Sequence, residues 1–230
     1  MKSVNVAIIY YSATGTVHAL ACAVAEGAEM AGAHVRLRKV AELVPAETIN
    51  AIPAWRQHLK DTADVAEVSS EDMIWADAVL CGTPTRFGNP SSQLKAFIDS
   101  LGVLWRRGEL ADKVYSAFTA SGTSHGGQES TIAALGNVFY HWGGIIVPPG
   151  YTDPIQFQRG DPHGTSHAAG DDLLPRVVLE AARCQAQRVV DTAVALKAGR
   201  ACGQDHHASA RGVIVAGPDA RLRARNRTHT

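Results

Sequence analysis

Ser12, Thr14 and Thr16 place hydroxyls around Gly15, between an apolar run (Val4, Val6, Ala7, Ile8, Ile9) and an Ala-rich segment. In that segment Val17, Leu20, Ala21, Val24 and Ala28 recur at helical spacing. A glycine lets backbone come close, and the first amides of a helix lack intrahelical partners, so a strand–loop–helix of this composition suits a phosphate. No Lys follows Gly15, which argues against a P-loop, and a single Gly does not make the G-x-G-x-x-G fingerprint. What remains suits a phosphate monoester held by neutral donors, as on FMN. The plainer reading is an ordinary Ser/Thr N-cap on a buried helix.

Two more strand ends carry loops of the same kind. Ala78–Gly82 empties into Thr83-Pro84-Thr85-Arg86-Phe87-Gly88-Asn89, and Lys113–Thr119 into Ala120-Ser121-Gly122-Thr123-Ser124-His125-Gly126-Gly127-Gln128. Each is followed by a helical pattern, the first through Leu94, Phe97 and Ile98, the second from about Glu129 to His141. Val35–Val40 alternates apolar and basic residues, as an edge strand does. Gly144–Val147 supplies a fifth strand and Leu173 or Pro175 through Lys197 a last helix. Five β-α units in succession predict an α/β fold: a doubly wound, five-stranded parallel sheet of flavodoxin-like order 2-1-3-4-5. Strands 1, 3 and 4 are then adjacent, so the three loops converge on one crevice at the carboxyl end of the sheet.

The rest of the chain is less specific. Thr48–Lys60 reads as a helix carrying Ile49, Ile52, Trp55 and Leu59, interrupted at Pro53, within an insertion or interaction surface spanning 41–70. Ser69 to Asp72 caps a short helix ending at Trp75, and Tyr151–Asp172 reads as a long loop. Periodicity fades near Gly199, which predicts a domain over 1–198 and a disordered tail over 199–230.

Lys+Arg and Asp+Glu balance at 22 each, so no global field favours nucleic acid or an anionic membrane. No apolar run approaches the ~18 residues of a spanning helix, and no export signal precedes the first strand. Cys22, Cys81, Cys184 and Cys202 are scattered like the reduced thiols of a cytoplasmic protein. His163, His167, His206 and His207 show no ligand spacing such as H-E-x-x-H, so no metal is expected.

Gly82 to Asn89, followed by Gln93-Leu94-Lys95-x-Phe97, closely resembles the WrbA-like NAD(P)H:quinone oxidoreductases, FMN enzymes of the flavodoxin fold. Ser121 to Glu129 with Thr131 looks like their second signature, Leu104-Trp105 lies where they keep a Trp, and the likeness runs from about Val4 to Lys197. The resemblance implies that Ser12, Ala13, Thr14, Gly15, Thr16 and Val17 hold the FMN phosphate. It implies that Pro84, Thr85, Arg86, Phe87, Gly88 and Asn89 border the ribityl chain and ring. Ala120, Ser121, Gly122, Thr123, Gly126 and Gly127 would line the flavin's other side. Trp105 would sit near the nicotinamide or quinone, reached from a neighbouring subunit, since the family is typically tetrameric; a dimer is the smaller alternative.

Relatives read His-His-Gly where this chain has His141-Trp142-Gly143, so the second His corresponds to Trp142 and its flavin contact passes to His141, to stacking by Trp142, or to nothing. His141 and Trp105 are accordingly the catalytic candidates. Many relatives also carry an aromatic at the position of Thr14. The implied activity is two-electron reduction of a quinone by NADH or NADPH, hydride passing through flavin N5, with no metal and no covalent nucleophile. Two other classes stay open: a flavodoxin-like electron carrier, against which the balanced charge argues, and a regulatory or scaffold protein that binds flavin without turnover.

Overall fold

The computed structural model describes residues 3–168 and 174–203. In chain order the elements are β1 (Asn5–Tyr10), α1 (Thr16–Met30), β2 (His34–Lys39), α2 (Ala46–Asn50), α3 (Pro53–Asp61), α4 (Ser70–Trp75), β3 (Ala78–Pro84) and α5 (Ser92–Ser100). There follow α6 (Gly102–Arg106), β4 (Val114–Ser121), α7 (Gln128–His141), β5 (Ile145–Ile146), α8 (Pro154–Arg159), β6 (Ser166–Ala168) and α9 (Arg176–Gly203). The chain divides into two compact units, Met1–Ala195 and Leu196–Thr230, and the sheet lies wholly in the first.

The sheet order is β2-β1-β3-β4-β5 and every pairing is parallel, as the β-α succession predicts. Val6, Ala7, Ile8 and Ile9 of β1 and Val79 and Leu80 of β3 are fully buried, which is why these strands read as unbroken apolar runs. In β2 no residue is fully buried, consistent with its place at the edge. Asp72 ties this edge down: its carboxylate accepts from the Ser69 amide at 3.0 Å and from Arg36 and Arg38 at 3.1 Å each. The Ser69–Asp72 pair forms the capping box of α4, and the Arg36 guanidinium lies 4.1 Å over the Trp75 ring.

Three expectations are corrected. The Thr48–Lys60 helix is two helices, α2 and α3, because Pro53 lacks the amide a continuous helix needs and instead takes the first helical position of α3. Tyr151–Asp172 is not all loop: it contains α8 and a sixth strand, β6. β6 pairs with Thr119–Ser121 of β4 on the edge opposite β3, while β5 pairs only with Val114 and Tyr115, so two short pieces share the fifth position. A Cβ on Gly164 would lie 2.1 Å from the Ala117 carbonyl oxygen, so only glycine lets the chain run this close to β4 before β6. The last helix runs to Gly203 rather than Lys197, which places the first residues of the predicted tail in helix; residues 204–230 lie outside the described residues.

Candidate functional site

Hydrogen bonds hold each strand end in place. The Tyr11 amide donates to the Gly82 carbonyl at 3.0 Å and the Thr85 amide to the Ala120 carbonyl at 2.8 Å, so the exits of β1, β3 and β4 stay side by side. Thr85 does more with its hydroxyl, which reaches the Gly126 carbonyl at 3.2 Å, accepts from the Gly88 amide at 3.2 Å and contacts the Thr131 hydroxyl at 2.7 Å. Gly127 is held at φ 90, and a Cβ there would sit 2.9 Å from the Gly88 Cα. The second and third loops are therefore in backbone contact.

A cleft of about 310 Å³ opens where the loops meet, at the low end of the range for small-molecule sites. Ser12, Ala13, Thr14, Thr16 and Val17 line it from the first loop, Pro84, Thr85 and Arg86 from the second, and Ala120, Ser121 and Gly122 from the third. Gly15 lies behind the first loop as the left-handed N-cap of α1, its amide donating to the Ser12 hydroxyl at 3.1 Å. No side chain caps α1, so the Ser/Thr N-cap reading is not what the chain does: the hydroxyls face a cleft and the first-turn amides keep their donors. That donor set fits the phosphate of FMN.

Behind this loop the charged forms of two imidazoles are disfavoured. Burial, followed by the charge of Lys39, lowers the pKa of His18; burial, then His18 and Lys39 against an opposing Asp61, lowers that of His58. The His18 ring also sits 2.7 Å from the Tyr10 hydroxyl. The loop thus offers neutral donors and a helix terminus, whose dipole contributes roughly 0.3–2 kcal/mol to holding an anion.

One wall of the cleft is not among the residues expected from sequence. Ile52 and Trp55, from the segment read as an interaction surface, line the same cleft as Arg86 and the third loop. Glu42 anchors them, accepting from the Trp55 indole at 3.1 Å, the Tyr11 hydroxyl at 2.9 Å and the Gln93 amide at 2.9 Å. Burial raises the Glu42 carboxyl, but hydrogen bonds from Val44, Gln93, Tyr11 and Leu43 outweigh it and leave the pKa below the usual value. The signal in the sequence is the Ile52–Trp55 spacing close after the β2 strand, but nothing local says which way that face turns.

Other predicted residues fall outside the cleft. Phe87, at φ 55, is fully exposed, and Asn89 is exposed with its side chain donating to the Phe87 carbonyl at 3.2 Å. Gly88, Thr123, Gly126 and Gly127 shape the loops without lining the cleft. The catalytic candidates are more distant. Trp105 donates from its indole to the His141 carbonyl at 3.0 Å, and the turn after His141 is bonded beside the start of β4, Asp112 to Gly143 at 3.0 Å. The cleft lies at the other end of this eight-residue strand, about 23 Å away at a rise of 3.3 Å per residue. Trp142 is core, packed on Tyr115 at 5.5 Å and Phe139 at 6.1 Å between ring centroids, and does not stack in the cleft. Within one chain, then, His141, Trp105 and Trp142 are not at the site.

Burial pushes the Cys81 thiol up to about 12 and also raises those of Cys22 and Cys184, which disfavours their thiolate forms. Among the described residues no helix is long and apolar enough to cross a membrane.

Comparison with known proteins agrees with the geometry. Residues 4–155 match the family described as NADPH-dependent FMN reductase. The chain is 42% identical over 189 residues to "NAD(P)H dehydrogenase (quinone)" of Deinococcus radiodurans, covering 82% of this chain and 94% of that protein. It is 42% identical over 206 residues to the protein of the same name from Paracoccus denitrificans, covering 85% and 97%. Among solved structures, a flavodoxin, WrbA-like protein from Agrobacterium tumefaciens superposes with a TM-score of 0.61 at 28% identity, over 84% of this chain and 99% of that one. A parallel 2-1-3-4-5 sheet, the family match over residues 4–155 and this degree of identity together establish that the chain belongs to the NADPH-dependent FMN reductase family, among the NAD(P)H dehydrogenase (quinone) proteins.

Proposed function

We propose that this protein is an NAD(P)H:quinone oxidoreductase that holds FMN in the cleft between the ends of β1, β3 and β4. The observation that carries the reading is the convergence of three Ser/Thr/Gly loops on one cleft whose far end is the uncapped start of α1. FMN held there would supply two-electron, hydride-level chemistry between NADH or NADPH and a quinone.

The residues divide the remaining work. Ser12, Thr14 and Thr16 with the first-turn amides of α1 bind the phosphate, and Gly15 gives the backbone room to do so. Pro84, Thr85 and Ala120–Gly122, which line the same cleft, would hold the flavin ring, and backbone amides near Gly122 would favour negative charge there. Arg86 adds a cation at the rim. Ile52 and Trp55 close the remaining side and exclude water. Replacement of Arg86 by alanine is expected to lower FMN affinity and quinone turnover by about tenfold, the loss of one charge-assisted contact, with an unchanged circular dichroism spectrum. Affinity and turnover equal to wild type would remove Arg86 from the site.

The same reading includes a homotetramer, or at least a dimer. Trp105 and His141 lie at the other end of β4 from the cleft of their own chain, joined by the Trp105–His141 hydrogen bond, and Val103, Trp105 and Tyr140 there are exposed. A second copy that brings these residues to the cleft would complete the substrate side. Light scattering of the purified protein checks this: a monomer at working concentration would refute it. A cytoplasmic location is part of the proposal, supported by the free state of Cys22, Cys81 and Cys184.

A further inference from the structure

Outside the cleft, Glu129, Asp161 and His163 bring one carboxylate oxygen each from the two acids and one ring nitrogen within 4.8 Å of one another. Glu129 stands in the first turn of α7; Asp161 and His163 come from the segment between α8 and β6. Asp161 is only 8% exposed and, with Glu129, lines a hollow of about 570 Å³. Its Oδ1 accepts from the His163 amide at 3.1 Å and lies 3.5 Å from the His163 Nδ1. Its Oδ2 is buried and has no hydrogen-bond donor among the described residues.

A buried carboxylate oxygen without a donor is a costly thing for a fold to keep. The nearby His163 neutralises at most one acid, and only when protonated, which leaves two carboxylates facing one hollow with excess negative charge. A divalent cation answers both problems, since it fills the empty position on Asp161 and offsets the charge. We propose that Glu129, Asp161 and His163 form a binding site for a single divalent transition-metal ion of the zinc type. One imidazole with two carboxylates is a borderline nitrogen/oxygen set; magnesium and calcium prefer all-oxygen cages, and copper(I) prefers sulfur. Water on the hollow side completes the coordination. Histidine spacing in the sequence does not reveal such a site because the ligands come from separate elements, and only the position of the β6 approach against α7 joins them.

The ion would brace a functional wall. Glu129 lies two positions after Gly127, whose backbone presses on Gly88, so tying Glu129 to the 161–163 segment steadies the third cleft loop from behind. Isothermal titration of zinc chloride into chelator-treated full-length protein tests the site, with Glu129→Gln and His163→Ala as variants. Both side chains are exposed, so both variants keep the fold. Wild type is expected to take up one ion at this site and to melt at higher temperature with zinc present. Each variant should lose that uptake or bind about tenfold or more weakly, and should lose the melting shift. The comparison separates this site from other histidines, including His206 and His207. No uptake by wild type, or uptake unchanged in either variant, overturns the proposal.

Discussion

Alanine in place of Asp72 is expected to lower the unfolding free energy by about 2–4 kcal/mol, which sums a lost N-cap interaction and charge-assisted hydrogen bonds to Arg36 and Arg38. The carboxylate is buried and serves four donors, the Ser69 amide and hydroxyl, Arg36 and Arg38, while the two arginines remain partly solvated and can hydrate when it is gone; the loss therefore stays below that of stranding a fully buried charge. The effect depends on pH in a defined direction. Burial raises the Asp72 carboxyl, but the Ser69 amide, Arg38 and Arg36 outweigh it, so its folded pKa is depressed. Its stabilisation is complete above the unfolded value, about 3.9, and is lost as pH falls through the folded pKa. Urea unfolding of wild type and variant should therefore differ strongly near neutral pH and converge in acid, as pH falls through the folded pKa. An equal difference at both would show that Asp72 acts through packing alone.

Gly127→Ala attacks the site instead of the frame. The residue sits at φ 90, where a Cβ costs about 1–2 kcal/mol, and that Cβ would meet the Gly88 Cα at 2.9 Å. Neither atom belongs to a flexible side chain, so the second and third loops must part and the Thr85 hydroxyl loses its hold on Gly126. Misplacing a positioned site by about 1 Å reduces its function on the order of 100-fold. FMN affinity, read by quenching of flavin fluorescence, should fall by about tenfold to 100-fold, while the melting temperature drops only a few degrees. An unchanged affinity would mean that the contact between these loops does not shape the cleft.

Both effects trace to features of unequal legibility. The buried strands β1, β3 and β4 announce themselves, because strands covered on both faces are largely apolar and Ser/Thr/Gly loops follow each. Their convergence follows from the strand order. β6 does not announce itself: Ser166-His167-Ala168 has no apolar alternation, and it pairs with β4 only because Gly164 permits the approach. Ile52 and Trp55 show the right spacing, but the hydrogen bonds from Trp55 and Tyr11 to Glu42 that turn them into the cleft are tertiary. Only the family resemblance points Trp105 and His141 towards the substrate. Topology argues otherwise within one chain, since a helix leaving the carboxyl end of β4 must return to the amino end before β5 begins.

The central claim is tested most directly by the visible spectrum of the purified protein with FMN, recorded after addition of NADPH or NADH and then of benzoquinone under anaerobic conditions. Flavin bands shifted by binding, bleached by a nicotinamide nucleotide and restored by the quinone are the predicted result. Bound flavin that stays oxidised with both nucleotides, or no bound flavin at all, would contradict the account.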